Sequence, residues 1–414
     1  MARGLLGQSG LVLAAKVVAA GAAYVLAWAL GRVAGVEAFG RFELVLTLFG
    51  MAAMLGRAGM DGAWIRHAPR WRAEGVDRRG VWWRAVGWIG GWSVLAGGAL
   101  AVARGPLGEG LKSVGMAGDL GWAWLAVPGL AWAGFAAEGF RGEERFVGFA
   151  VLQRGTFLLG VAAAVLLGGD PVPVLAVGAM GAAVVALPVG ARGMRGAAGG
   201  AAFRALRRTA GPMVLAAAAF ELMSWSDTLM CGAFLDEAAV GRYRLAFRLA
   251  ALLTLGQTAI NSALAPRMAR ASVADLRSLV QWAFRWNALI ALGGGAFLAA
   301  TAPWLPGWFG ADFTTPETVT ALRILGLGTA FNALSGPVLT LMNTTGAERR
   351  ARDIVLAAAA LNIALNFYAI PRFGILGAAT ATTLTTVAWN VAAGLWVARR
   401  YGIWTWYPFN RRNR

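Results

Sequence analysis

The sequence predicts an all-α, polytopic membrane protein of about twelve transmembrane helices in two six-helix halves. Three observations carry that prediction. Apolar stretches of roughly 20 residues divide the chain, and about 20 helical residues are needed to cross a hydrocarbon core about 30 Å thick. Lys and Arg fall unevenly among the connecting segments. A short pattern in the first half returns at the matching place in the second.

The spans are expected near residues 9–30, 42–58, 81–103, 120–138, 147–168, 171–191, 209–234, 243–264, 281–302, 319–342, 353–371 and 374–398. Of the 414 residues, 58% are hydrophobic and only 14% charged, and 57 glycines suit helices that pack closely or bend. The first stretch runs on to Leu30 without a small-residue cleavage site, so it reads as a retained helix. Span 120–138 carries Pro128, a candidate kink. Spans 147–168 and 171–191 are joined by Gly168-Gly169-Asp170-Pro171, a tight turn. The single cysteine, Cys231, excludes an internal disulfide, and no metal site is expected. The single histidine, His67, lies in a basic segment and reads as a surface residue.

Orientation follows from the basic residues. With the N-terminus inside, 25 Lys and Arg fall in the inner segments and 7 in the outer ones. Both termini are therefore expected in the cytoplasm of a cell whose inner membrane the chain spans. The net charge of +18 is mostly this topology signal, and no nucleic-acid partner is needed to explain it. Anionic membrane lipids are expected partners of the basic face. Trp82, Trp83, Trp122, Trp304, Trp308, Trp404 and Trp406 sit near the proposed borders, as an interfacial belt requires.

Gly40-Arg41-Phe42 follows Glu37-Ala38, and Gly241-Arg242-Tyr243 follows Glu237-Ala238 at the corresponding point of the second half. Six spans per half keep the halves in one orientation, so the repeat is parallel. The expected organisation is a lobe at 1–192, a polar, glycine-rich cytoplasmic linker at 193–208, and a second lobe with a basic tail at 209–414.

Ionisable groups inside spans are costly and mark candidate sites. Lys16, Arg154 and Arg248 lie deep and are expected to face an aqueous cavity. Arg84, Arg285 and Arg323 lie within about a turn of a span end, where snorkelling to the interface competes with a binding role. The acids are Glu43 in the second span and Glu221 and Asp227 in the seventh. They suit ion coupling by H⁺ or Na⁺, and equally the neutralisation of buried arginines. Gln257/Asn261, Asn362/Asn366 and the threonines of the last span read chiefly as interhelical glue. A cavity richer in fixed cations than anions selects an acidic ligand, and arginine's planar fork suits phosphate.

Several local runs resemble those of bacterial polysaccharide flippases. They are Glu37-Ala38-Phe39-Gly40-Arg41-Phe42; Val240-Gly241-Arg242-Tyr243 with Ala246-Phe247-Arg248 and Ala265-Pro266; Leu341-Met342-Asn343-Thr344-Thr345-Gly346; and Leu361-Asn362, Leu365-Asn366, then Ile370 to Ala379. The chain thus resembles the O-antigen and exopolysaccharide branch of the multidrug/oligosaccharidyl-lipid/polysaccharide exporter superfamily, roughly over 1–70 and 209–400. The resemblance implies two lobes around a central cavity, alternating access, and transfer of undecaprenyl-diphosphate-linked oligosaccharide to the outer leaflet. It also implies polymerase and glycosyltransferase partners in polysaccharide or lipopolysaccharide assembly. A cation-coupled multidrug exporter is the alternative within that fold. A membrane polymerase or glycosyltransferase is a further one, but the outer loops carry too few carboxylates for acid–base chemistry, so no enzyme and no cofactor beyond a coupling ion are expected.

Reporter tags test the topology: near Gly199 and at the C-terminus they are expected to report cytoplasm, and near Leu107 the opposite side. An outward tag near Gly199 overturns this orientation.

Overall fold

The structure, a computed structural model, describes residues 2–406 apart from positions 77, 114, 144, 146–147, 150–151, 153–154 and 197–198. Among the described residues the chain is helical, with no strand. The first half comprises α1 (Ala2–Val33), α2 (Gly35–Arg57), α3 (Met60–Ala73), α4 (Arg79–Val102), the short α5 (Arg104–Gly110) and α6 (Met116–Leu120), α7 (Ala123–Gly142), α8 (Gly155–Leu166) and α9 (Pro171–Ala191). The second half begins with the long α10 (Gly200–Phe234) and α11 (Glu237–Met268). Then come α12 (Val273–Leu289), a π segment at Ile290–Gly294, α13 (Gly295–Thr301), α14 (Pro316–Leu334), α15 (Val338–Thr344) and α16 (Glu348–Tyr401).

Local chemistry sets these boundaries. Asp170 caps α9 by accepting from Val172 N at 3.0 Å, with Pro171 at the first helical position. Ser272 and Thr315 cap α12 and α14 in the same way. α7 runs through Pro128 as one helix. The break at 335–337 bends α14 against α15 by 42°, so the two form one broken span. In α16 the break falls at Gly374, with φ 58° and ψ −138°, a conformation only glycine adopts without strain. Its two arms, 348–373 and 375–401, are therefore the expected last two spans.

Eleven of the twelve expected spans fall on helices, α8 covers 155–166 of the expected span 147–168, the beginning of which lies partly outside the described residues, and the protein is an all-α polytopic membrane protein. Among the described residues five helices are each long and apolar enough to cross a membrane, or six with the broken pair. The basic segment after the second span holds a helix, α3, where a loop was expected. Residues 200–208, assigned to the linker from sequence, are the first turns of α10.

The chain forms two compact units: residues 1–218 with 236–238, and residues 219–235 with 239–414. The core of the first is aromatic. Trp64, Trp82 and Phe135 are fully buried, with ring centroids 4.7–5.9 Å apart, and Trp82 donates to Leu187 O at 3.2 Å. His67, expected at the surface, is half-buried, stacks on Trp71 at 4.8 Å and lies 2.9 Å from Thr209. Burial and the charges of Arg66 and Arg70 lower its pKa. In the second unit Leu264, Met268, Leu276, Val280 and Leu341 form an apolar core. Leu95, Val102, Leu167, Leu292 and Leu327 are exposed, as lipid-facing side chains are.

Helices α7 and α9 touch backbone to backbone. A Cβ on Gly129 would lie 2.6 Å from Met180 N and 2.9 Å from Ala179 C. Gly129→Ala is therefore expected to destabilise the first unit by about 1–3 kcal/mol. Gly178→Ala on α9, whose Cβ meets nothing within 4 Å, serves as the control. Melting in detergent checks this, and equal melting temperatures for the two variants contradict it.

Candidate functional site

Asp227 lies on α10 and is 2% exposed. A charge buried this deeply persists only if its oxygens receive hydrogen bonds from the surrounding helices. Tyr243 on α11 donates to Oδ2 at 2.9 Å, and Thr382 on the second arm of α16 donates to the same oxygen at 2.6 Å. Asn366 on the first arm donates its amide to Oδ1. The Asn366 amide also reaches Asn362 Oδ1 at 3.0 Å, and Ser226 donates to that oxygen at 2.9 Å. One further helix and both arms of a hairpin thus close on the carboxylate that α10 carries.

The i, i+4 spacing of Asn362 and Asn366 puts both amides on one helix face. The break at Gly374 returns the chain so that Thr382 meets the same carboxylate. Buried polar atoms remain beside it: Asn366 Oδ1, Asn362 Nδ2 and Thr228 Oγ1 lack a hydrogen-bond partner among the described residues. Carboxylate, amide and hydroxyl oxygens in this density form a donor set of the kind that hard monovalent or divalent cations take. Among the described residues no group of three or more His, Cys, Asp or Glu is placed to hold a metal ion.

The other expected site residues are dispersed. Arg154 lies outside the described residues, and Lys16 is on α1, with its side chain outside them. Arg248 is half-buried on α11. In this structure the described partners of the Asp227 carboxyl group are neutral hydroxyls and amides. Arg84, Arg285 and Arg323 are exposed, and Arg323 Nε lies 3.4 Å from Ala299 O. Glu43 is buried on α2 in the first unit. Glu221 is half-buried, a turn and a half before Asp227 on α10. Tyr243 and Ser226 were not anticipated as partners of Asp227. The asparagines and Thr382 were read as packing residues, although their isolation in apolar helices was the available signal.

A second polar network ties α11, α14 and α16. Asn332 donates to Gln257 at 2.8 Å, Gln257 donates to Asn332 O at 3.0 Å, and Asn390 donates to Asn332 Oδ1 at 3.0 Å. Its members satisfy one another, as interhelical glue does.

The repeated arginines have matching roles. Arg41 on α2 pairs with Asp119 of α6 at 3.1 Å and lies 3.8 Å from Glu237, which accepts from Ser113. Arg242, its counterpart, donates to Asp312 O at 3.1 Å. Each therefore ties a long helix to a connecting segment of its own half.

Long apolar helices and exposed apolar side chains define an integral membrane protein. The chain matches the polysaccharide biosynthesis protein family over residues 5–272, and it belongs to that family. A second family, MatE, matches residues 212–368. Among curated relatives, the probable flippase AglR of Haloferax volcanii is 27% identical over 182 residues, covering 41% of this chain and 37% of that protein. The probable low-salt glycan biosynthesis flippase Agl15 of the same organism is 28% identical over 171 residues, 39% of this chain and 35% of that protein. The chain spans little more than a third of the length of these curated relatives. Among solved structures, the lipid II flippase MurJ in an inward closed conformation superposes with a TM-score of 0.74 at 12% identity, over 95% of this chain and 87% of that chain. The Vibrio cholerae MATE transporter VcmN superposes with a TM-score of 0.63 at 16% identity, over 97% of this chain and 96% of that chain. At such identities the likeness is one of fold.

Burial is the main cause that pushes the Asp119 carboxyl up to about 6 from 3.8; Arg41 opposes it, and Asp170 and Glu237 add to it. The folded chain thus holds this proton more tightly than the unfolded chain, and the resulting stability is lost as pH rises through about 6. The Arg41 ion pair forms over the same window. The melting temperature of wild type relative to Asp119→Asn is expected to fall between about pH 3.8 and about pH 6 and to stay level above that. A flat difference places Asp119 back in the ordinary carboxylate range.

Proposed function

We propose that the protein is a flippase that moves undecaprenyl-diphosphate-linked oligosaccharide from the inner to the outer leaflet of the cytoplasmic membrane by alternating access. The observation that carries this reading is the polysaccharide biosynthesis family match over residues 5–272. The names of two curated relatives as probable flippases and the fold shared with a lipid II flippase support it. In this reading the chain binds and reorients its substrate without covalent chemistry, and it acts beside a polymerase and glycosyltransferases. Lys16, Arg154 and Arg248 supply positive charge for the diphosphate, and Arg84, Arg285 and Arg323 supply charge near the span ends.

Asp227 is the proposed coupling group. Its shell contains hydroxyls and amides, each of which can present either an oxygen or a proton. When the site is empty, the hydroxyls of Tyr243 and Thr382 and the Asn366 amide donate to the carboxylate. A bound Na⁺ requires oxygens in their place, so the Asn366 amide turns to present Oδ1 and the hydroxyls rotate. A proton would need only one donor displaced. Either exchange shifts the packing of α10, α11 and both arms of α16, which is the two-state bias that coupling requires. Glu221 and Glu43 are secondary candidates for the same role.

The MatE match over 212–368, which contains Asp227, favours a second reading: export of cationic compounds. Proteoliposomes loaded with a fluorescent lipid-linked oligosaccharide under imposed Na⁺ or H⁺ gradients separate the two. Wild type is expected to move the lipid-linked glycan faster under one gradient. Asp227→Asn is expected to lose that acceleration, about tenfold, with normal amounts of protein in the membrane. Unchanged gradient dependence in Asp227→Asn removes the coupling assignment. Transport of organic cations with no movement of the glycan selects the second reading.

A further inference from the structure

A basic cleft of about 350 Å³ opens between the loop that follows α15 and the last turn of α16. Arg349 and Arg350 from the first turn of α16 and Arg400 from its end line it, with Glu348 the acid in the lining. The three arginines are exposed, and none has an acidic partner within ion-pair distance among the described residues. Basic residues in the first turn of a helix oppose its macrodipole. Here they stand where α16 begins without a side-chain cap at Ala347. Helix stability alone therefore does not account for their position, whereas an anion in the cleft would satisfy both the arginines and the free backbone N–H groups.

The other wall is aromatic and fixed. Tyr401 donates to Thr345 at 2.9 Å, Thr345 donates on to Leu341 O at 2.7 Å, and Trp396 meets the Tyr401 ring edge-on at 6.0 Å. Arg400 lies 5.8 Å from the centre of the Tyr401 ring. Leu395, beside Trp396, is exposed, as is Trp404 just beyond the helix. Aromatic rings lining a cationic cleft, with exposed apolar side chains close by in sequence, mark the depth at which lipid headgroups lie. A soluble anion site would not need that apolar border.

We propose that this cleft binds the phosphate headgroup of an anionic membrane lipid, holding it against Arg349, Arg350 and Arg400. The site is remote in sequence from Asp227 and does not depend on which solute the protein carries. A bulk phospholipid and a polyprenyl diphosphate share the required chemistry.

The full chain, purified in detergent, is titrated with phosphatidylglycerol, phosphatidylcholine, undecaprenyl diphosphate and inorganic pyrophosphate, and bound molecules are counted by native mass spectrometry. Phosphatidylglycerol, undecaprenyl diphosphate or both are expected to bind more tightly than phosphatidylcholine, and the pattern assigns the source. The triple variant Arg349→Gln, Arg350→Gln, Arg400→Gln is expected to weaken that binding about tenfold or more. The matching variant Arg66→Gln, Arg70→Gln, Arg72→Gln on α3 removes the same charge elsewhere and is expected to leave binding unchanged. The triple lysine variant, which keeps the charge and loses the planar fork, is expected to fall between and guards against a folding defect in the glutamine variant. Equal losses in the two glutamine variants, equal binding of phosphatidylcholine, or binding of pyrophosphate without either lipid overturns the proposal.

Discussion

A carboxylate at the centre of a helical membrane protein can send its charge only to groups carried on other helices, because the surrounding hydrocarbon offers none. Asp227 shows what this demands. Its two oxygens are met by a tyrosine from α11, an asparagine from one arm of α16 and a threonine from the other. None of these donors is worth its burial without the acid, and the acid cannot stay charged without them. The mutual dependence fixes the register of α10 and α11 against the α16 hairpin. It also makes the break at Gly374 a structural requirement, since an unbroken helix would carry Thr382 away from the arm that holds Asn366.

The repeated Gly-Arg-aromatic motif follows the same logic nearer the helix ends. Arg41 and Arg242 each tie a long helix to a connecting segment of their own half, but with different acceptors. Arg242 uses a backbone carbonyl, which does not titrate. Arg41 uses two carboxylates, one of them raised to about 6. Divergence between the halves has therefore left one tie indifferent to pH and the other sensitive to it.

Much of this was legible in the sequence, for reasons that differ from element to element. Long apolar runs are local signals, and among the described residues the expected spans fall on helices. The Gly-Gly-Asp-Pro turn was legible because proline and an Asp cap act within a few residues. The π segment at Ile290–Gly294 and the helicity of 200–208 were not, since neighbouring elements override weak local preference there. The site itself was half legible. Charge scarcity singled out Asp227, and helical spacing put Asn362 and Asn366 on one face. Which face meets which helix is a long-range fact, and Tyr243 was therefore passed over. A lone acid in an apolar span invites a cation as its partner, but neutral donors satisfy it at a lower desolvation cost.

That neutral shell has a mechanistic consequence. Had an arginine neutralised Asp227, the pair would carry no net charge, and taking up a cation would mean breaking an ion pair in a low dielectric. With hydroxyls and amides as its only described partners, the carboxyl group has no counter-charge to give up before it takes a cation. Its partners can turn from donors to oxygen ligands by rotating about single bonds. The cost of exchange then falls on side-chain rotations and small helix shifts. A differential affinity of about 5.5 kcal/mol between two helix arrangements is enough to swing such an equilibrium from one extreme to the other. A carboxylate shared by α10, α11 and both arms of α16 is placed where an affinity difference of that order acts directly on helix packing.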